Sequence, residues 1–500
     1  MEREGLLGDI KDNQSTSTSR NRCYIHVITV LLLLFFIGIR NHNWKPSTTD
    51  LTKVAALPPE SLFNTTTDEN EDPLFAYNSF DCPYEEWNQV TTTIIPNTEV
   101  HENWMRSWKP EKQPFLYHTK PSAMSAFAQK DQIVVALTSA SLINSTMYCR
   151  YYDCRRREIS DPFQNVIFHK STVFCALRPN AKYIAVSATS DETPEYSVPI
   201  VPRINKPPHY FTVCMAPLYG DEPKFLQIVD FIEYHKLQGA TFFHIYLRNV
   251  TDYDRMMLDE YVKTGDIEII KMHDHFWRAD YMWHDVQIND CHHRSKYFSK
   301  WTALIDIDER LEIRNEQFKT VVDYLDSIHN ASIANLRFRV KWVIKDNNTP
   351  ERYENDKQIT DEMLFHKYQN TSQLGNFFDQ PKCIIRPENV AIMTIHGPLT
   401  MYKGERITSV DKDIGFIRHY RSVEQRVFPG ALERMMKHAP FNILPVEQWI
   451  EKNLTENILS RVKLVYDIVD VTCEEKMKMY SIENVTAPCS IGKQDLFTKL

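Results

Sequence analysis

Glycine is scarce in this chain, at 12 of 500 residues, which excludes collagen-like and Gly-rich disordered architectures. Cys-x-x-Cys pairs are absent, so zinc knuckles are not expected. No block of five or six Lys and Arg appears either, and a net charge of -8 argues against a nucleic-acid binder. Long apolar runs are missing everywhere but once, between Cys23 and Ile39. What remains is a chain with 42% hydrophobic residues, enough for a large core and about three domains by length.

The apolar run is short for a membrane span but suits the thin early secretory membranes. A tail of 22 residues precedes it, and no small-x-small cleavage site follows Ile39. An uncleaved signal anchor is therefore expected, with 1–22 as a cytosolic tail and 23–39 as the span. Flanking basic residues decide orientation poorly, but cysteines and sequons decide it better. Of ten cysteines, Cys23 lies in the run and nine follow it. Asn-x-Ser/Thr sequons follow at Asn64, Asn144, Asn249, Asn330, Asn347, Asn370, Asn453 and Asn484. That density suits an oxidising lumen and hence a single-pass type II protein. The odd cysteine count leaves one thiol free or bridging two chains in a disulfide-linked homodimer.

Residues 40–75 read as a flexible stem, rich in Thr, Pro, Asn and acids. From 76 to 205 the pattern is short and β-like, with strands expected at 132–137, 146–152, 165–168 and 182–186. Cys149 and Cys154 bracket a tight segment there, each able to pair with the other or with Cys82 or Cys175. Prolines at 202, 207 and 208 mark a boundary. Strands and helices then alternate. Strands are expected at 210–216, 241–247 and 266–271. Helices are expected through Phe225, Ile228, Val229 and Ile232, through 253–263, and over 284–299. Later strands start at Lys382, Val390 and Ile417. A tail helix carries a stripe of Trp449, Leu454, Ile458, Val462 and Val465. Such alternation predicts an α/β domain with a mostly parallel, Rossmann-like sheet over 206–440, and a helical extension over 441–500.

The densest chemical signal is Trp301 to Leu311. An apolar run there gives way abruptly to Asp306-Ile-Asp308-Glu309. On an extended strand the two aspartates share a face, about 6–7 Å apart at the backbone. Such acids beyond a strand's carboxyl end suit Mg²⁺ or Mn²⁺ held against a phosphate. The competing explanation is a solvated acidic turn. An Asp-x-Asp-x-Thr phosphatase is excluded because Arg310 stands where threonine is required. A glycoside hydrolase needs carboxylates flanking the bond from opposed sides, which neighbours on one strand do not supply.

Five segments in order carry a resemblance: Phe231-Ile-Glu-Tyr-His-Lys-Leu-Gln-Gly239, His244-Ile-Tyr, Asn289-Asp-Cys291, Leu304-Ile-Asp-Ile-Asp-Glu309 and His419-Tyr-Arg421. Over roughly 210–430 the chain resembles glycosyltransferase family 92. The resemblance implies a GT-A fold on a Golgi type II anchor. It also implies a β-galactosyltransferase using UDP-galactose and Mn²⁺ on a glycoprotein glycan, with fucose or galactose as acceptor. By the same resemblance Asp308 is the first choice as metal ligand, Asp306 serves the ribose or a metal-bound water, and His419 completes the coordination, with His396 its competitor. Pro217 and Tyr219, in the loop from Ala216 to Asp221, are expected to line the uridine pocket. Asn249 is expected to face the nucleotide, which conflicts with its sequon. Asn289, Asp290 and Arg294 are candidates for the donor sugar or diphosphate, and Lys382 and Arg421 for the diphosphate on charge alone. Glu309, Asp361, Glu362 and Asp379 are the candidate general bases. A membrane-anchored sugar-binding or adhesion protein that keeps the fold without catalysis is the alternative.

Overall fold

The computed structural model describes residues 122–467, apart from 139–143, 169–170, 195, 204–205, 221, 274–281, 347–348 and 424–429. The expected anchor and stem, together with Asn64, Asn347, Asn484 and Cys82, lie outside the described residues. Among the described residues no helix is long and apolar enough to cross a membrane.

The first structured unit is a closed barrel. Its strands are β1 (Ala123–Ala128), β2 (Ile133–Leu137), β3 (Thr146–Tyr152), β4 (Phe163–Phe168), β5 (Thr172–Cys175), β6 (Tyr183–Ser187) and β7 (Val198–Pro202), in the order β1-β2-β5-β4-β3-β6-β7. Along β3 the side chains of Met147, Cys149 and Tyr151 are buried, while those between them are half-buried. That is the two-residue period of a strand lining a barrel interior. β2 is buried on both sides, because the helix carrying Asp290 packs on its outer face. Cys149 pairs with Cys175, closing 26 residues, and Cys154 is disulfide-bonded to a partner outside the described residues. Loop-closure entropy makes a bridge of that span worth roughly 3 kcal/mol.

The second unit is built on seven strands. β8 (His209–Leu218), β9 (Phe242–Leu247), β10 (Ile267–Lys271) and β11 (Ser299–Ile305) run parallel in the order β10-β9-β8-β11. The sheet continues beyond β11 with β16 (Lys382–Ile385), β13 (Ile333–Phe338) and β19 (Arg406–Ser409). β16 is antiparallel to both neighbours and β19 parallel to β13, so the sheet is mixed but mainly parallel.

Alternation along β8 sorts its two faces. Phe211, Val213 and Met215 join one core with α1 (Phe225–Leu237), α2 (Asp252–Lys263) and α4 (Gln448–Tyr466). Cys214 joins the other with α3 (Met282–Ser295), and its disulfide to Cys291 staples that helix to the strand. α1 is buried almost all round, because α4 covers the side turned away from the sheet. Its start lacks a side-chain cap of its own. Asp254 of α2 supplies one, accepting from the amides of Lys224 and Phe225 at 2.8 and 2.7 Å. Gly239, at φ +94°, ends the helix in the left-handed conformation that glycine adopts without strain.

Two details differ from expectation. α3 ends at Ser295 rather than 299, since β11 already begins at Ser299. The buried stripe of α4 starts with Ile450 and not Trp449, which lies at the flank with its indole bonded to Glu447.

A second sheet has the order β12 (Glu309–Ile313), β20 (Gly415–Ser422), β14 (Val340–Lys345), β15 (Asn370–Thr371) and β21 (Asn442–Ile443). A separate hairpin joins β17 (Val390–Thr394) to β18 (Gly397–Met401). Residues 306–308 are the corner where the chain leaves the first large sheet and enters the second.

Candidate active site

The strand order reverses at β8. The chain steps outward through β9 and β10, then returns to the other side of β8 as β11. Crevices at such switch points, outside the carboxyl ends of parallel strands, are where open α/β sheets take ligands. β11 ends there at Ile305, and the acids follow at once.

They do not sit on an extended strand. The amide of Glu309 bonds to the carbonyl of Asp306 at 3.0 Å, so Asp306-Ile307-Asp308-Glu309 is a tight turn. The expectation of two carboxylates leaving one strand face is thereby corrected. A turn sends them to different partners, and that divergence divides the site. Asp306 Oδ1 lies 2.8 Å from Lys382 Nζ on β16 and 3.7 Å from His284 Nε2 on α3. Asp308 Oδ2 lies 3.2 Å from His419 Nε2 and 4.0 Å from an Arg421 nitrogen, both on β20. Glu309 faces inward, fully buried, and accepts the amide of Asp306 at 2.8 Å. Its other oxygen lies 3.3 Å from His419 Nδ1, with neither atom hydrogen-bonded. Trp342 stacks on His419 at 4.7 Å and fixes the ring plane.

The electrostatics follow from this layout. Burial opposes ionisation of Asp306, but Lys382 and His284 outweigh it and hold its carboxyl below the ordinary range. Burial likewise opposes Asp308, yet His419 and Arg421 depress its pKa far below normal. Glu309 is the loser of the competition. Burial pushes its carboxyl up to about 7 against the pull of Lys382. Burial also opposes charging His419, and the two carboxylates beside it overcome that and raise its pKa.

Among the described residues no three His, Cys, Asp or Glu side chains converge into a complete cation cage. The Asp308–His419 pair nevertheless fits part of one. Two ligands about 2.1 Å from an octahedral ion, at right angles, stand about 3.0 Å apart, close to the spacing seen here. Oxygen plus imidazole nitrogen suits Mn²⁺, and a phosphate-bound ion of this class takes only one or two protein ligands. Asp306 is held by Lys382 and is the less available of the two aspartates.

The other predicted residues divide sharply. Arg421 belongs to the cluster. Tyr219 is 43% exposed at the end of β8, and exposed Asn249 is beside it, the amides of Arg248 and Asn249 both bonding to the Leu218 carbonyl. Pro217 is buried within β8 and cannot offer its ring to a nucleotide. Lys382 is 2% exposed and serves as internal counter-ion to Asp306 and Glu309, not as a free phosphate ligand.

Asp290 and Arg294 are committed elsewhere. Asp290 is fully buried and accepts from Ser125 of the barrel, from Tyr246 at 2.5 Å and from Arg294 at 2.9 Å. Arg294 also pairs with Glu268 at 2.7 Å and lies over Phe127. These two residues anchor the barrel to the sheet, so their expected contact with the donor is withdrawn. Asn289 is buried and donates to the Asp285 carbonyl one turn back.

The base candidates outside the acidic turn each have a local partner. Asp361 pairs with Lys357 and Glu362 with Lys367, while Asp379 accepts the amide of Asn376 within its own loop. His396 hydrogen-bonds the backbone of Pro381, leaving His419 as the histidine that meets Asp308. Sequence reasoning missed His284, Trp342 and Lys345, whose charge helps depress Asp308. Trp342 and Lys345 lie on β14 itself, a short strand that carries no motif. Only pairing with β20 brings them in.

The asparagines at 144, 249, 330, 370 and 453 are all exposed. Cys383 is the free thiol among the described residues and is buried, so it cannot bridge two chains. A cleft of about 850 Å³, lined by Lys206, Tyr210, Lys300, Asp326 and Arg386 among others, opens at the amino-terminal ends of β8 and β11. It holds none of the acidic-turn residues.

Residues 209–454 match the family described as glycosyltransferase family 92. No curated protein matches the sequence. Among solved structures, S. aureus TarS is similar at 11% identity and a TM-score of 0.24, over 54% of this chain and 47% of that one. The match thus spans under half of that TarS chain. TarS 1–349 in complex with UDP-GlcNAc is similar at 10% identity and a TM-score of 0.23, over 54% and 77% of the two chains. HddC from Yersinia pseudotuberculosis is similar at 12% identity and a TM-score of 0.21, over 43% and 90%.

Proposed function

The chain belongs to glycosyltransferase family 92 through residues 209–454, and from that premise we propose that it transfers galactose from UDP-galactose, with inversion, to a glycan on glycoproteins. The observation that carries the site assignment is the approach of Asp308 and His419 at the carboxyl end of β11. A carboxylate and an imidazole from different strands meet where the fold puts ligands. Asp308 and His419 are the residues that would hold Mn²⁺ or Mg²⁺. When bound, such an ion neutralises the charge that grows on a departing diphosphate.

The protein's own groups do the rest. In the transfer an acceptor oxygen bonds to the anomeric carbon while the bond from that carbon to the diphosphate oxygen breaks. The electron pair leaves on phosphate, and the hydroxyl proton passes to a base. Lys382 fixes Asp306 in one rotamer, presented to the nucleotide side of the crevice. Arg421 and Lys345 supply positive charge at its edge for the phosphates. Glu309 is a positioning group. It ties down the Asp306 backbone and stands 3.3 Å behind the Nδ1 of His419, the side from which outer-shell carboxylates act on ligating histidines. A fucose or galactose on an N-glycan is the proposed acceptor.

The setting we propose is the Golgi membrane, with the single span at 23–39 and the catalytic domain lumenal. Two disulfides with both cysteines among the described residues, and five exposed sequon asparagines there, support an oxidising compartment. The detergent-solubilised full chain, given UDP-sugars, Mn²⁺ and a panel of glycan acceptors, tests the reading. Metal-dependent release of UDP with galactose transfer is expected, lost in Asp308→Ala. Sugar binding that survives Asp308→Ala, with no transfer by the wild type, would establish the adhesion reading instead.

A further inference from the structure

Turn tips are ordinarily Gly, Pro, Asn, Asp or Ser, because those residues fit the backbone and meet water without loss. The turn Asn376–Asp379 breaks that rule. The amide of Asp379 bonds to the carbonyl of Asn376 at 3.2 Å, and the Asp379 carboxylate accepts the Asn376 amide at 2.9 Å. The two central positions are Phe377 and Phe378, exposed by 44% and 85%. Burying a phenylalanine is worth about 1.5–3 kcal/mol, so displaying two at a tip forgoes that stabilisation.

The rings are supported from beneath. The guanidinium of Arg339 lies 4.7 Å from the Phe377 centroid, and that of Arg337 lies 5.9 Å from Phe378. Both arginines rise from the end of β13 and the residue following it, where Phe338 is the register partner of Lys382. Both feet of the loop stand on the candidate active site. On one side the amides of Ser372 and Gly375 bond to the carbonyls of Trp342 and Val340, on the strand whose Trp342 stacks on His419. On the other, Pro381 accepts from His396 and the next residue is Lys382, the partner of Asp306.

We propose that Phe377 and Phe378 form a stacking platform for the acceptor sugar, a pyranose that lays an apolar C–H face on the Phe378 ring. This deepens the proposed function and rests on it for the word acceptor. Aromatic faces bind such C–H faces without needing a particular hydroxyl pattern, while the free edges of the sugar stay available to the reacting groups. Phe378 is then a specificity-determining residue that touches substrate, and Arg337 and Arg339 are its positioning residues.

The test uses the full-length chain in detergent, with methyl β-galactoside and methyl α-fucoside as acceptors. Phe378→Ala is expected to raise the acceptor KM about fivefold or more, and Phe378→Trp to return it to within about twofold of wild type. An acceptor KM unmoved by Phe378→Ala overturns the platform, as does a KM for UDP-galactose that rises in step with the acceptor's. Saturation-transfer NMR with the same glycosides needs no donor. The C–H face of the glycoside saturates on wild type and not on Phe378→Ala. If the wild type binds in this way yet transfers nothing, the transferase reading fails and the platform stands. A glycoside that binds Phe378→Ala as well as wild type removes the platform whatever the activity.

Discussion

Glu309 and His419 are register partners across antiparallel strands, with Oε1 and Nδ1 only 3.3 Å apart and the opposite nitrogen of the ring turned to Asp308. A carboxylate behind an imidazole fixes its orientation and strengthens it as a ligand. Glu309→Gln keeps an oxygen for the Asp306 amide but removes the charge. Mn²⁺ binding to the full chain, followed by paramagnetic resonance, is expected to weaken at least about tenfold. Unchanged Mn²⁺ affinity would show that Glu309 serves the backbone alone.

Lys382 sits between two buried carboxylates, and its own pKa is raised because Asp306 and Glu309 outweigh the burial that opposes its charge. Deleting one member of such a group leaves uncompensated buried charge. Lys382→Met is expected to destabilise the protein by about 3–5 kcal/mol in urea unfolding. Adding Glu309→Gln should recover part of that loss, because one of the two stranded charges is gone. Additive losses in the double variant would contradict the coupling.

The buried stripe of α4 makes that helix part of the central core rather than an appendage. Ile458→Ala is expected to cost about 2–5 kcal/mol, whereas Leu464→Ala, at a position 59% exposed, should stay within about 0.5 kcal/mol. Equal effects at the two sites would mean that α4 does not pack as described.

Glu268 links Arg294 to His244 at the seam between barrel and sheet. Burial opposes its ionisation, but hydrogen bonding to His244 and the charge of Arg294 depress its pKa to about 2. Burial simultaneously lowers the pKa of His244, so that ring is neutral at pH 7 and Arg294 is the charge partner that counts. A depressed carboxylate stabilises the fold above its unfolded value, near 4.5, and loses that contribution as pH falls toward 2. Because 41% of the side chain is exposed, solvent screening keeps the effect small. Glu268→Gln is expected to melt about 2 °C below wild type at neutral pH, with the gap closing between pH 4.5 and 2. A gap that persists at the acid end would point to lost packing instead.

Asn249 stands beside Tyr219 at the mouth of the crevice, its amide tied to Leu218. A glycan there would crowd a nucleotide. Glycopeptide mapping of the full chain should find Asn249 unmodified, and full occupancy would take it out of the site.

Much of the architecture was legible because burial writes itself into sequence as period. The apolar run 211–215 and the spacing of Phe225, Ile228, Val229 and Ile232 announce strand and helix without ambiguity. The acidic turn was also legible as a place, though not as a shape. Asp-x-Asp reads identically on a strand and in a turn, and only the Glu309-to-Asp306 bond decides. Charge alone misled at Lys382, and place on the helix feeding the acidic strand misled at Asp290 and Arg294. A cation or carboxylate bound for a ligand looks the same in sequence as one bound for a buried partner elsewhere in the fold. Phe378 escaped notice because a phenylalanine is read as core until its exposure is known.

Asp308 and His419 are 111 residues apart in the chain. During synthesis the three carboxylates at 306, 308 and 309 therefore exist for a long stretch without Lys382 or His419 to offset them. Loop closure over such a span must precede any benefit from the contact. The acidic corner is therefore complete only once β20 has been made and has paired with β12.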